Sequence, residues 1–258
     1  MTLSFDRRGS GDPLVLIHGL GSRWQVWEPV LPRLADHYDV VALDLPGFGK
    51  STVDGTPATI TGYADRVEKF LTELDIERPH LAGHSLGGAV ALELAARGGA
   101  RSVTAFCPGG FWTRPEWAWG NGVLRSGRAL ARRVRPQAPR LLRSAVGRTV
   151  LFGLFSGRPW RLDPDACLGD TDALLGAAGF DATARESRSY QFGDVRALPE
   201  IPVTVAWGSR DALLLYPTQS RRARAVLPFA RHITLRGCGH LVFADDPAAC
   251  LRLLLPED

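Results

Sequence analysis

The chain has 258 residues, 45% of them hydrophobic, and a formal net charge of +4, which suits one mid-sized soluble domain with a substantial core. No apolar run approaches the roughly 18 residues needed to span a bilayer, and Met1 to Arg8 lacks the apolar stretch of a signal peptide, so a cytoplasmic location is expected. Cys107, Cys167, Cys238 and Cys250 show neither C-x-x-C spacing nor a zinc-like cluster and read as reduced thiols; no metal and no cofactor is expected.

In chain order, short apolar runs alternate with helical patterns. Strands are predicted at 14–17, 40–43, 80–82, 103–106, 203–206 and 232–235, and helices near 26–35, 60–74, 86–97, 218–226 and 247–255. Near-continuous apolar character suits strands covered on both faces, so the alternation predicts an α/β fold with a mostly parallel, doubly wound sheet. The rhythm breaks once. Between Pro108 and about Val195 no strand stands out, while Gly, Pro, Trp and Arg are frequent. That length exceeds a plain loop, so 108–195 is expected to be a helical cap inserted into a core made of 1–107 and 196–258.

Gly83-His84-Ser85-Leu86-Gly87-Gly88 sits between the third strand and the helix after it. So sharp a reversal strains the serine backbone and crowds its neighbours, which explains glycines two residues to either side; Ser85 Oγ would then stand clear of the sheet edge as a nucleophile. Open α/β sheets bind ligands at the carboxyl ends of their strands, so polar residues after other strands converge there. Asp211 follows the fifth predicted strand and His240 the sixth. A serine hydroxyl needs an imidazole to accept its proton, and the imidazole needs a carboxylate to fix its tautomer. Asp245 and Asp246 are poorer acid candidates, because they open a Pro-containing helix start where carboxylates cap. His18-Gly19-Leu20-Gly21 follows the first strand, and its glycine-bracketed backbone can aim the Leu20 N–H, with the Leu86 N–H, at a developing oxyanion. His18 then braces its loop, and His84 shapes the turn. Gly49-Lys50-Ser51 is not a phosphate loop, since Asp44 stands where the first glycine would be required.

These motifs, together with Asp44-x-x-Gly47-Phe48-Gly49-x-Ser51 and Trp207-Gly208-x-x-Asp211, fall in an order that strongly resembles the α/β-hydrolase fold superfamily, in its serine-nucleophile, esterase- or lipase-like branch with a cap. The resemblance covers roughly 12–107 and 196–258. It implies Ser85 as nucleophile, His240 as base and acid, Asp211 as orienting carboxylate, and an oxyanion hole at Leu20 and Leu86. Serine at position 85 argues against the dehalogenase and epoxide-hydrolase branches, and Cys107-Pro108-Gly109-Gly110 offers no carboxylate at the alternative acid position. A short N-terminus leaves little room for the usual hairpin.

The expected activity is hydrolysis of a small or medium apolar carboxylic ester through an acyl-enzyme. C–C bond hydrolysis, cofactor-free perhydrolysis and a receptor with little turnover are the alternatives on the same triad. Phe111, Trp112, Trp117 and Trp119 open the cap and are candidate substrate-binding residues, with ordinary packing of the cap on the core as the alternative. From Gly120 to Trp160 there are nine arginines and no acidic residue, the source of an isoelectric point near 9.1. A solvated basic face outweighs membrane-surface contact or attraction of an anionic substrate, and no motif for nucleic acid accompanies the charge. The partner expected is a small-molecule substrate, and the chain a monomer or homodimer.

Overall fold

Seven strands form one sheet in the computed structural model, which describes residues 3–193, 195 and 198–255. They are β1 Phe5–Arg8, β2 Pro13–Ile17, β3 Asp39–Leu43, β4 His80–His84, β5 Ser102–Phe106, β6 Val203–Gly208 and β7 Arg231–Leu235, in the spatial order β1-β3-β2-β4-β5-β6-β7. All pairs are parallel except β1 with β3. Strands β2 to β5 bury four residues each in an unbroken run, as a sheet covered on both faces requires. The α/β reading holds, with one addition at the edge. The sequence of β1 is too short and charged to show a period; it is an antiparallel edge strand, tied down by Arg7 on Asp39 at 2.6 Å.

Strand order also locates the site. The chain passes from β2 to β3 on one side, then returns to place β4 on the other side of β2, and continues outward through β5, β6 and β7. That reversal opens a crevice at the carboxyl ends of β2 and β4, where Ile17 pairs with Gly83.

The helices are α1 Leu31–Ala35, α2 Ile60–Glu73, α3 Leu86–Ala96, α4 Arg114–Val134, α5 Ala138–Arg143, α6 Ala145–Phe152, α7 Pro164–Gly176, α8 Phe180–Glu186, α9 Tyr216–Val226, α10 Val242–Asp245 and α11 Pro247–Leu254. The single helix expected over 26–35 is instead a 3₁₀ turn, Trp24–Trp27, followed by α1, which starts with Pro32 in its first turn. Helices α4 to α8 fill the stretch between β5 and β6, where no described residue is in a strand. Local signals set their starts: Thr113 and Glu116 form a capping box for α4, Ser144 accepts from Gly147 N at 2.9 Å for α6, and Asp163 from Ala166 N at 2.8 Å for α7. Ala138, Leu142, Leu162 and Cys167 make a small core of their own there, whereas Phe180 and Ala184 of α8 join the main core. The expected core boundary at Arg196, and residues 1–2 and 256–258, lie outside the described residues. No helix among the described residues is long and apolar enough to cross a membrane.

Candidate active site

Ser85 occupies the turn between β4 and α3 with φ 56° and ψ −115°, a left-handed backbone that a side chain adopts at a strain of about 1–3 kcal/mol. Its neighbours show why the strain persists. A Cβ at Gly83 would collide with the Gly87 carbonyl, and one at Gly87 with the Ile17 carbonyl, so only glycine lets β4, α3 and β2 approach this closely. The turn is held from the adjacent strand by Ser85 N–H donating to Phe106 O at 2.9 Å, and by Gly109 N–H donating to Ser85 O at 3.0 Å.

His240 and Asp211 meet at the carboxyl ends of β6 and β7. His240 Nδ1 donates to Asp211 Oδ2 at 2.7 Å, while Asp211 Oδ1 accepts from Leu213 and Leu214 N–H at 3.0 and 2.9 Å. Both side chains are buried, and His240 and Ser85 line one cavity. With Nδ1 protonated toward the carboxylate, Nε2 is left as the acceptor. Cys107, where the alternative acid would stand, lies against this pair: its sulfur is within 4.8 Å of ligand atoms of Asp211 and His240. Burial and then the Asp211 charge push its thiol far above the usual cysteine range, so it stays protonated.

Two further histidines close to the site brace backbone. His84 Nε2 donates to the His240 carbonyl at 2.9 Å, and burial followed by the nearby His240 lowers its pKa to about 3, which keeps it neutral. His18 accepts from Leu45 N–H on Nε2 at 3.0 Å, so its Nδ1 carries the proton and donates to Gly19 O at 2.7 Å. Burial lowers its pKa as well. Asp44, the residue excluded as part of a phosphate loop, receives Trp24 N–H and Lys50 N–H at 2.8 and 2.9 Å and fastens the loop after β3 to that after β2. A Cβ at Gly19 would stand 3.1 Å from Ser85 Cβ, which brings the His18-Gly19-Leu20 backbone over the serine. Among the described residues neither the Leu20 nor the Leu86 N–H has a hydrogen-bond partner. Leu86 opens α3, so its N–H belongs to the unpaired first turn at the positive end of the helix.

Two cavities meet at Ser85. The larger, about 150 Å³, runs from Ser85 and His240 past Leu124, Gly127, Phe152 and Leu174; the smaller, about 60 Å³, lies toward Trp112, Trp117 and Asn121. Leu20, Leu124 and Leu213 line both and separate them. Of the four aromatics expected to bind substrate, Trp112 and Trp117 line the smaller cavity, and Phe111 and Trp119 line neither. Phe111 is instead a core residue packed on Phe192 and Trp207, and Trp119 is 47% exposed with its Nε1–H on Ala212 O at 2.8 Å. The arginines divide likewise: Arg128 and Arg125 pair with Asp181, Arg135 pairs with Asp172, and Arg148 donates to the Leu142, Arg143 and Trp160 carbonyls.

Asp245 departs from the helix-capping role that its position before Pro247 predicts. Asp246 caps α11, accepting from Ala249 N–H at 3.0 Å, but Asp245 does not cap a helix. It is buried, and its carboxylate accepts from Ser156 Oγ at 2.6 Å, Gly157 N–H at 2.8 Å, Arg158 N–H at 3.2 Å and Gly239 N–H at 2.7 Å. It therefore joins the turn after α6 to the loop that carries His240, and Leu241 N–H on Phe155 O at 2.8 Å adds to the joint. Glycine is required on both sides, since a Cβ at Gly157 would collide with the Gly237 carbonyl. The spacing of Asp245 to Pro247 looks like an ordinary helix start, and nothing local points to a partner 89 residues earlier.

The alpha/beta hydrolase family model matches residues 14–253. The chain is 34% identical over 242 residues to the dihydrolipoyllysine-residue acetyltransferase component of the acetoin cleaving system of Cupriavidus necator, covering 92% of this chain and 61% of that protein. It is 39% identical over 121 residues, 45% of this chain and 46% of the relative, to the pimeloyl-[acyl-carrier protein] methyl ester esterase of Aeromonas hydrophila. A thermophilic esterase from Thermogutta terrifontis shares the fold, with a TM-score of 0.74 at 24% identity over 98% of this chain and 91% of that one. With most of its length matched, this chain belongs to the alpha/beta hydrolase family.

Proposed function

We propose that this hydrolase cleaves a carboxylic ester through an acyl-enzyme on Ser85. The observation that carries the reading is the joining of a strained, cavity-facing serine with a buried, hydrogen-bonded His240–Asp211 pair. His240 Nε2 takes the Ser85 proton as Oγ bonds to the ester carbonyl carbon. The Leu20 and Leu86 N–H groups receive the oxyanion, each worth about 10²–10³ in rate. Collapse of the tetrahedral species breaks the bond to the leaving alkoxide, which takes the proton from His240. Water, deprotonated by the same nitrogen, then attacks the acyl carbon and releases the acid and the serine. Asp211 holds the imidazole tautomer and stabilises its charged form.

The helices between β5 and β6 act in this reading as the cap that sets specificity. The larger cavity has about the volume that holds one benzene, so it takes an arm of roughly six carbons, and the smaller takes a short one. Methyl ester hydrolysis by the Aeromonas relative agrees with unequal arms. The test is a fluorophosphonate label combined with turnover of alkyl esters. Wild type should label at Ser85 and hydrolyse hexyl acetate or methyl hexanoate, and Ser85→Ala should lose both, about 10⁴-fold or more in kcat, with its melting temperature not lowered. Retained turnover in Ser85→Ala overturns the assignment.

A further inference from the structure

The larger cavity is apolar except at a few points, and one of these has no role in the chemistry above. Asp170, on α7, lines it. Among the described residues its carboxylate accepts no hydrogen bond and forms no ion pair, unlike Asp163 and Asp172 of the same segment. Its neighbour on the wall, Thr171, is satisfied by the Cys167 carbonyl at 2.8 Å. Opposite the helix, Arg23 is packed so close that any side chain at Gly169 would strike its guanidinium, and its buried Nε–H is also without a partner. Arg23 therefore lies against the helix position beside Asp170 and acts on its charge without pairing with it.

Such an arrangement is costly. Burial pushes the Asp170 carboxyl up to about 6, with the Arg23 charge pulling the other way, so at neutral pH it is an ionised acceptor that water solvates poorly. Asp170 is half-buried and lines the cavity. A hydrocarbon arm filling the cavity would deepen that cost. An ammonium beside Asp170 would be disfavoured by the Arg23 charge that already acts on that carboxyl, and a carboxylate would be repelled by Asp170 itself. A hydroxyl carries no charge and donates to Asp170, so it answers the site with the least desolvation.

From the cavity wall we infer that Asp170 is a specificity-determining residue, selecting a substrate whose longer arm carries a hydroxyl remote from the scissile ester. The inference rests on the esterase reading for the word substrate, but its site is testable by binding alone. Calorimetric titration of 1-butanol, 1-hexanol and 1-octanol against 1,4-butanediol, 1,6-hexanediol and 1,8-octanediol covers the range of arm lengths. In wild type at pH 7.5 at least one diol should bind better, relative to its alcohol, than in Asp170→Leu by about tenfold, the worth of a hydrogen bond to a charged group. Asp170→Asn, which keeps an acceptor, should restore part of that ratio. Ester pairs with the hydroxyl on either arm, methyl hexanoate with methyl 6-hydroxyhexanoate and hexyl acetate with 6-hydroxyhexyl acetate, should show the same shift in kcat/KM for one pair. An alcohol-to-diol ratio equal in wild type and Asp170→Leu overturns the inference, whether or not esters are turned over. Absence of Ser85-dependent turnover with the binding ratio intact would overturn the esterase reading instead.

Discussion

The carboxyl edge of the sheet and the helices between β5 and β6 face one another across the same cavity, yet they hold their polar groups on opposite terms. At the sheet edge the acidic and imidazole side chains are held by hydrogen bonds: Asp211 accepts three, His84 and His18 brace carbonyls, and Asp44 binds two backbone donors. On the facing wall Asp170 has no hydrogen-bond or ion-pair partner among the described residues. Under the proposed ester hydrolysis such bracing preorganises the sheet edge, which is what a reacting centre needs. An unsatisfied group on the other wall is what selects the ligand that satisfies it.

Asp245 is a joint between the two regions, and removing it is the largest way to break the comparison. Asp245→Ala leaves four donors facing a buried void and should destabilise the fold by about 3 kcal/mol, or about 6–12 °C in melting temperature for a domain of this size. Because Gly239 precedes His240, kcat should fall as well at temperatures where the protein is fully folded, while Asp245→Asn, which keeps one full acceptor, should lie between. Differential scanning calorimetry with ester kinetics at 15 °C checks both. A full loss of stability with kcat unchanged would mean that the His240 loop holds its place without the helical segment.

Filling the cavity from the helical side is the next largest test. Gly127 lies in α4 on the cavity wall, and a Cβ there would meet nothing nearer than Phe155 Cζ at 3.7 Å. Gly127→Leu should raise stability by about 0.5–1 kcal/mol through helix propensity while occupying the space of the longer arm. The preference for hexyl over ethyl esters should drop about tenfold, the worth of one to two methylene contacts in an apolar pocket. A chain-length series measured alongside the melting temperature reads both effects. If the preference holds, the longer arm does not enter this cavity.

How much of each region is legible in the sequence follows from what sets it. At the sheet edge the backbone geometry is so tight that Gly83 and Gly87 have no substitute, and that requirement is written locally as a motif; Asp211 and His240 are then found because parallel strands all end on one side. The arms of the site carry no such signature. Leu124, Gly127, Phe152 and Leu174 look like any helical apolar residues, and which of them lines a cavity is decided by how α4, α6 and α7 pack. Composition misled for the same reason: a cluster of aromatics drew attention to Phe111, which the main core had claimed through Phe192 and Trp207. Asp245 and Asp170 were opaque because both act through partners distant in sequence, or through having none.

Trp119 gives the smallest expected effect and the sharpest check on that distinction. It sits two residues from Trp117 on α4, so composition treats the pair alike, but successive helical positions point apart and only Trp117 reaches a cavity. Trp117 also donates from Nε1 to Ser187 Oγ at 3.1 Å, fixing α4 to the turn after α8. Trp119 contributes one hydrogen bond, to the Ala212 carbonyl, at a position already half open to water. Trp119→Ala should therefore cost about 1 kcal/mol or less and change kcat/KM on any ester by under about threefold. Trp117→Ala should instead alter the ranking of esters by the size of their shorter arm. The Ala212 carbonyl adjoins Asp211, so a large fall in kcat for Trp119→Ala, with ester ranking preserved, would place Trp119 among the groups that hold the acid in position and extend the sheet edge's dense bracing onto α4.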